Sequence, residues 1–193
     1  VYKRQTVTLK NVLVSKSGLV SELGKGMELI DAVMPQILIS LSAEALGIMA
    51  TLNTLTLEYS KTRQQFGAPI GSFQVIQHRM VDTFMACEQG KSMLYRGLCV
   101  ANNVEQGEAD QFDLVKTAHA LKATIARYGK LIGEEAIQLH GGIGMTDELN
   151  IGHFVKRLMM INVAFGDGDF HQRKFNSLSS VSYTHLTLPT NCV

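Results

Sequence analysis

Two segments of this 193-residue sequence carry side chains suited to an anionic ligand. Lys61-Thr62-Arg63-Gln64-Gln65-Phe66-Gly67 sets a guanidinium and an aromatic ring at a helix end. Arg can grip a phosphate through two parallel N–H donors. Gln138-Leu139-His140-Gly141-Gly142-Ile143-Gly144 offers a side-chain amide beside backbone that a ligand can approach closely. Taken singly, the first also reads as a solvated helix terminus and the second as a plain helix C-cap. The glycine segment ends a helix, so it lacks the strand-to-helix setting of a dinucleotide fingerprint.

Metal chemistry has less to stand on. A di-iron bundle needs inward Glu residues and Glu-x-x-His pairs, because positions i and i+3 share a helix face. Here Glu135 and His140 are five apart, as are Glu148 and His153. No Cys or His pair has zinc spacing. The sequence implies no metal.

The elements that must position these segments are helical. From Met27 to Tyr59 apolar residues recur at steps of three or four (Met27, Ile30, Met34, Ile37, Leu41, Ala45), and Leu29, Val33, Leu38, Leu46 and Met49 widen the stripe. A helix apolar around most of its circumference is buried among several neighbours, which implies an oligomer interface as well as a core. Pro35 either starts this helix proper or kinks it. After Gly67-Ala68-Pro69-Ile70-Gly71, Ser72 is the expected N-cap of a second helix, with Phe73, Ile76, Met80, Phe84, Cys87, Leu94 and Leu98 on its face. Asp110 opens a third helix, with Phe112 and Ala118 through Leu139 on its face, ending at Gly141. A fourth spans roughly 149–163 and a short one 169–176. The expected fold is all-α, an antiparallel four-helix bundle. Thr6–Leu9 and Asn11–Val14 alternate as one or two short strands, a β remnant that cannot form a sheet alone.

Composition narrows the class. Apolar residues make up 46% and charged residues 18%, which excludes a disordered chain. Lys+Arg 18 against Asp+Glu 17 gives a net charge of +1 and no broad footprint for nucleic acid. Cys87, Cys99 and Cys192 read as buried reduced thiols, which together with the lack of a signal-peptide pattern implies a cytoplasmic protein. The charge-free run Ala45–Leu57 is too short to span a bilayer. Residues 1–5 and 177–193 fit no element and resemble adaptor sequence translated in frame on a fragmentary gene. The expected organisation is then a foreign end at 1–5, the end of a β-domain at 6–25, the bundle at 26–176 and a foreign or disordered tail at 177–193.

Taken together, Tyr59-Ser60-Lys61-Thr62-Arg63-Gln64-Gln65-Phe66-Gly67-Ala68-Pro69-Ile70, Phe73-Gln74, Gln77-His78 and Gln138–Gly144 resemble the C-terminal part of an acyl-CoA dehydrogenase. The resemblance covers roughly residues 20–176 and makes residues 6–19 the last strands of that family's middle β-domain. It implies FAD as cofactor, an acyl-CoA oxidised to the 2-enoyl-CoA, and bundles paired into dimers or tetramers. The acceptor it implies is an electron-transfer flavoprotein or similar. By resemblance Arg63 would bind the FAD diphosphate of the neighbouring subunit, with Phe66 against the nucleotide. Gln138 and Gly142 would hold the adenosine-diphosphate part, and Gln74 is a further candidate.

The catalytic carboxylate breaks the pattern. Most members place it in a Tyr-Glu-Gly-Thr stretch after the fourth helix, where this chain reads Ala164-Phe165-Gly166-Asp167-Gly168-Asp169-Phe170. Counting back from Gln172-Arg173 puts Gly166 at the Glu position. The family's alternative base position falls at about Ile37, also not acidic. Asp167 and Asp169 are the nearby carboxylates, to be weighed against helix capping or solvation. One residue along a helix turns a side chain by about 100°. The Phe-Gly-Asp pattern resembles small subunits of heteromeric enzymes of the pimeloyl-CoA and steroid side-chain type. The implied function is part of an FAD-dependent acyl-CoA dehydrogenase whose fragment alone is inactive. The alternatives are a non-catalytic assembly subunit, or a related acyl-CoA oxidase or N-hydroxylase.

Overall fold

A computed structural model describes residues 5–178. The described chain divides into two units, one up to Met34 and one from Pro35 onward. In the first, residues 5–25 are exposed except for half-buried Ser21, with a single 3-10 turn at Lys16–Gly18 and an ion pair between Lys25 and Glu22 at 2.9 Å. The strands expected at Thr6–Leu9 and Asn11–Val14 are not formed. A strand exists by its ladder of hydrogen bonds, and no described residue pairs with this segment.

The helices are α1 (Gly26–Thr62), α2 (Gln74–Glu105), α3 (Gln111–His140), α4 (Ile151–Val163) and α5 (Gly168–Leu178). Between α1 and α2 lies a two-stranded hairpin, β1 (Gln64–Gln65) and β2 (Ala68–Pro69). The ends expected to be foreign lie outside the described residues apart from Gln5, Ser177 and Leu178, and α5 runs through the last two. Pro35 is buried within α1, so it does not start that helix.

α3 is the central element of the second unit, with α2, α4 and α5 packed on it. Its N-cap is the expected Asp110, whose Oδ1 accepts the Asp113 amide at 2.8 Å. Leu114, Ala118, Leu121, Ile125, Ile132 and Ala136 form its buried stripe. Close approach is bought with glycine: a Cβ on Gly90 would sit 3.2 Å from Ile125 Cδ1, and one on Gly97 3.2 Å from Leu121 Cδ2. Arg157 of α4 donates two hydrogen bonds to Glu44 of α1, at 2.6 and 2.7 Å, and holds that carboxyl below its ordinary value.

Several side chains differ from their expected places. Ser72 does not cap α2; its hydroxyl donates to the Pro69 carbonyl at 2.6 Å and Phe73 occupies the cap position. Small residues steer the α2 interface: Thr83, Ala86, Gly90 and Gly97 face inward, which turns Phe84 and Leu98 out to solvent. On α3 Phe112 is exposed as well, Leu114 taking the inward place. Cys87 is a buried free thiol as expected, but Cys99 is exposed on the outer side of α2; Cys192 lies outside the described residues. By length and composition α1 is long and apolar enough to cross a membrane, contrary to the reading from its charge-free run. In this fold its Leu38, Ala45, Met49 and Leu52 are buried in the bundle.

Candidate functional site

The first motif segment is shaped by the turn that ends α1. The Arg63 amide closes the last helical turn on the Tyr59 carbonyl at 2.8 Å, and the chain then reverses with Gln64 opposite Pro69 and Gln65 opposite Ala68. Phe66 and Gly67 both have positive φ, 54° and 80°, the signature of a hairpin turn whose twist matches its strands. Glycine adopts this freely, whereas Phe66 does so at about 1–2 kcal/mol. Its ring is 95% exposed and meets Phe73 edge-on at 6.2 Å. The Ile70 amide donates to the Arg63 carbonyl at 2.8 Å, so Arg63 stands at the foot of the hairpin. Its side chain is exposed, and among the described residues no carboxylate pairs with it.

The second segment ends α3. Gly141 (φ 64°) turns the backbone, and its amide donates to the Gln138 and Ile137 carbonyls before a 3-10 turn over Gly141–Met145. A Cβ placed on Gly142 would meet nothing within 4 Å, so the backbone there faces open space. His140 is buried and its Nδ1 lies 2.8 Å from the Ala136 carbonyl, which fixes Nδ1 as the protonated nitrogen. Its ring stacks on Tyr59 with centroids 4.4 Å apart, and the Tyr59 hydroxyl donates to the His140 carbonyl at 3.4 Å. This contact joins the two motif segments.

Between them lies an open cleft of about 420 Å³ whose walls include Phe66, Phe73, Arg79 and Gln138. Arg79 donates to Glu135 through Nη2 at 3.0 Å, with Nε 2.7 Å from the other carboxylate oxygen, tying α2 to α3 under the cleft. Of the five residues expected to bind cofactor, Phe66 and Gln138 line this cleft together. Arg63, Gln74 and Gly142 do not. Arg63 is at the hairpin foot, Gln74 is the exposed first residue of α2, and Gly142 is in the turn after α3. An unpaired guanidinium, an exposed ring and an amide fit an anionic group that carries an aromatic ring. Their exposure leaves the other side of such a group to a second surface.

The loop between α4 and α5 holds the carboxylate candidates. Gly166 has φ 109°, and a Cβ there would lie 2.4 Å from Phe170 Cδ1. The glycine is thus required by the loop, and a glutamate cannot take its place without rebuilding it. Asp167 is the N-cap of α5: its Oδ1 accepts the Phe170 amide at 2.8 Å. Asp169 is exposed in the first turn of α5. The sequence reading missed what holds this loop. Lys122 is fully buried, and its Nζ donates to the carbonyls of Ile161 (2.8 Å), Asn162 (3.0 Å) and Gly166 (3.2 Å). Burial pushes its pKa down to about 8, opposed by the charge of Asp167. A lone lysine on the apolar face of the third helix is the signal that could have found it. Tyr59–His140 and Arg79–Glu135 left no such signal, because each pairs residues distant in sequence.

Comparison with known proteins bears on these segments. The family model described as acyl-CoA dehydrogenase, C-terminal domain, matches residues 24–175. An L-prolyl-[peptidyl-carrier protein] dehydrogenase from Serratia sp. is 35% identical over 132 residues, covering 68% of this chain and 32% of that protein. The acyl-CoA dehydrogenase IpdE2 of Mycolicibacterium smegmatis is 33% identical over 117 residues, covering 61% of this chain and 34% of that protein. The solved structure of PigA with FAD and proline is similar with a TM-score of 0.71 at 31% identity, covering 80% of this chain and 38% of that one. The chain thus spans about a third of the length of the curated relatives it matches.

Proposed function

The chain belongs to the acyl-CoA dehydrogenase family through its C-terminal helical domain, and on that premise we propose that it forms one side of an FAD site shared between subunits of an acyl-CoA dehydrogenase. The observation that carries this reading is the cleft that Phe66 and Gln138 line together, with the exposed Arg63 at the foot of the adjoining hairpin. Arg63 would hold the diphosphate, Phe66 would lie against the nucleotide, and Gln138 and the open backbone at Gly142 would hold the adenosine-diphosphate part. Gln74 is the remaining contact in this reading. When bound, FAD supplies a hydride acceptor for α,β-dehydrogenation of an acyl-CoA thioester to the 2-enoyl-CoA.

The proton taken from the α-carbon needs a base within hydrogen-bonding reach. Gly166 offers none, Asp167 caps α5 through Oδ1, and Asp169 is exposed in the first turn of that helix. In this reading the base comes from a partner subunit, and the chain alone is inactive. Exposed apolar side chains on α1 and α2, among them Leu55, Val81, Phe84, Met85 and Leu98, support assembly into a dimer or tetramer. Residues 6–25 would belong to the family's middle β-domain, the acceptor would be an electron-transfer flavoprotein or similar protein, and the compartment would be the cytoplasm.

Expression of the full-length gene alone and with its genomic neighbour tests the reading. Acyl-CoA oxidation by the pair and not by the lone subunit is expected. Full turnover by the lone subunit, with FAD at every site, would overturn the shared-base version. Oxygen consumption during turnover would identify an oxidase or N-hydroxylase instead.

A further inference from the structure

α5 is held on α3 by a pair of imidazoles that have no place in the cofactor reading. His171 is 1% exposed, and its Nδ1 lies 2.7 Å from Nδ1 of half-buried His119. The rings tilt at 36° with centroids 5.0 Å apart, and Phe170 meets His171 edge-on at 5.1 Å. Two nitrogens at that distance need one proton between them, so one ring donates from Nδ1 and the other accepts at Nδ1. A first additional proton, on the far nitrogen of the donor ring, leaves that bond intact. A second converts the acceptor into a donor, breaks the bond and sets two cations against each other in a buried site.

We propose that the His119–His171 pair is an acid-labile latch that docks α5 on α3 at neutral pH and releases α5 when both rings are protonated. The charged groups around the pair favour release. Lys122 of α3 acts on His171 and Lys174 of α5 acts on His119, both disfavouring a charged ring. Only Asp167, before α5, and the Phe165 backbone act in the opposite direction, on His171. Burial is the largest influence on both rings, and it pushes His171 down to about 4. A depressed folded-state value means that docking is fully in place above the ordinary value of 6.5 and is lost as pH falls toward 4.

The test is amide hydrogen exchange on the full chain at pH 7 and pH 5, corrected for intrinsic exchange rates. Between these pH values, linkage through His171 alone, with an open-state value of 6.5 and a docked value of about 4, raises the opening of α5 about twentyfold. The amides of α2 and the middle of α3 should not follow. In His171→Leu the acid-induced rise should vanish. Should that variant fail to fold, side-chain nitrogen NMR of the unaltered chain reads the same pair: His171 should stay neutral until α5 loosens. Equal α5 opening at both pH values, a rise that survives His171→Leu, or a His171 that titrates near its ordinary value with α5 still docked would each overturn the latch.

Discussion

The rings of Tyr59 and His140 stack with centroids 4.4 Å apart and planes 25° from parallel. Tyr59 sits on the last turn of α1 and His140 ends α3, so one contact sets the spacing between the hairpin bearing Phe66 and the helix end bearing Gln138. The contact is local in space and long-range in sequence. It converts two helix ends into one surface.

A double-mutant cycle on Tyr59→Leu and His140→Leu should therefore show coupling. Stacked aromatic pairs contribute about 0.5–1.5 kcal/mol beyond their buried area. Denaturant unfolding of the two single variants and the double variant measures it. Additive losses would mean that the two segments are placed independently.

Gly166 should not accept a side chain. Gly166→Ala forces a Cβ into a left-handed backbone at about 1–2 kcal/mol, and adds an overlap with the Phe170 ring. Phe170→Ala in the same chain should recover the overlap and not the backbone cost. Thermal unfolding of the three variants separates the two contributions.

Lys122→Met should destabilise the bundle by about 1–3 kcal/mol, the cost of leaving a buried carbonyl without its donor, while keeping the side-chain volume. The pH dependence has a defined sign. With a folded value of about 8 against 10.5 unfolded, the unfolded chain binds more protons between those limits, so Lys122 makes stability rise with pH there. Denaturant midpoints from pH 7.5 to 10.5 should show that slope in the parent chain and its reduction in the methionine variant.

Gly142 separates ligand contact from folding. Since open space lies beyond its Cα, Gly142→Val should leave the unfolding free energy within about 0.5 kcal/mol of the parent, as for a surface change. Flavin affinity of the assembled complex should fall in the same variant. A large stability loss with flavin retained would assign this turn to packing alone.

The sequence made the helices legible because long apolar stripes at a 3.6-residue period leave little choice of element. Asp110 as a cap and Gly141 as a stop followed from side-chain and backbone chemistry confined to one turn. The rotation of α2 did not follow. Phe84 and Leu98 carry more apolar surface than Gly90 and Gly97, yet the glycines face the core because Ile125 and Leu121 reach into the space they leave. That choice is made by the neighbouring helix. The strands at residues 6–14 failed for a related reason: alternation marks a segment able to pair, and pairing needs a partner strand. In the site, Arg63, Phe66 and Gln138 were readable as residue types at helix ends. The hairpin that displays Phe66, and the buried Lys122 that fixes the Gly166 loop, depend on contacts across the fold.

The most direct measurement of the shared-site claim is the flavin-to-protein ratio of the complex assembled from this subunit and its partner, with Arg63 intact, as Arg63→Lys and as Arg63→Ala. Losing a bidentate charge-assisted contact of about 1.5–3 kcal/mol should weaken flavin binding roughly ten- to a hundredfold in Arg63→Ala, with lysine restoring part of it. The complex should remain assembled in all three. Unchanged flavin content and affinity in Arg63→Ala would contradict the claim and leave the bundle an assembly element.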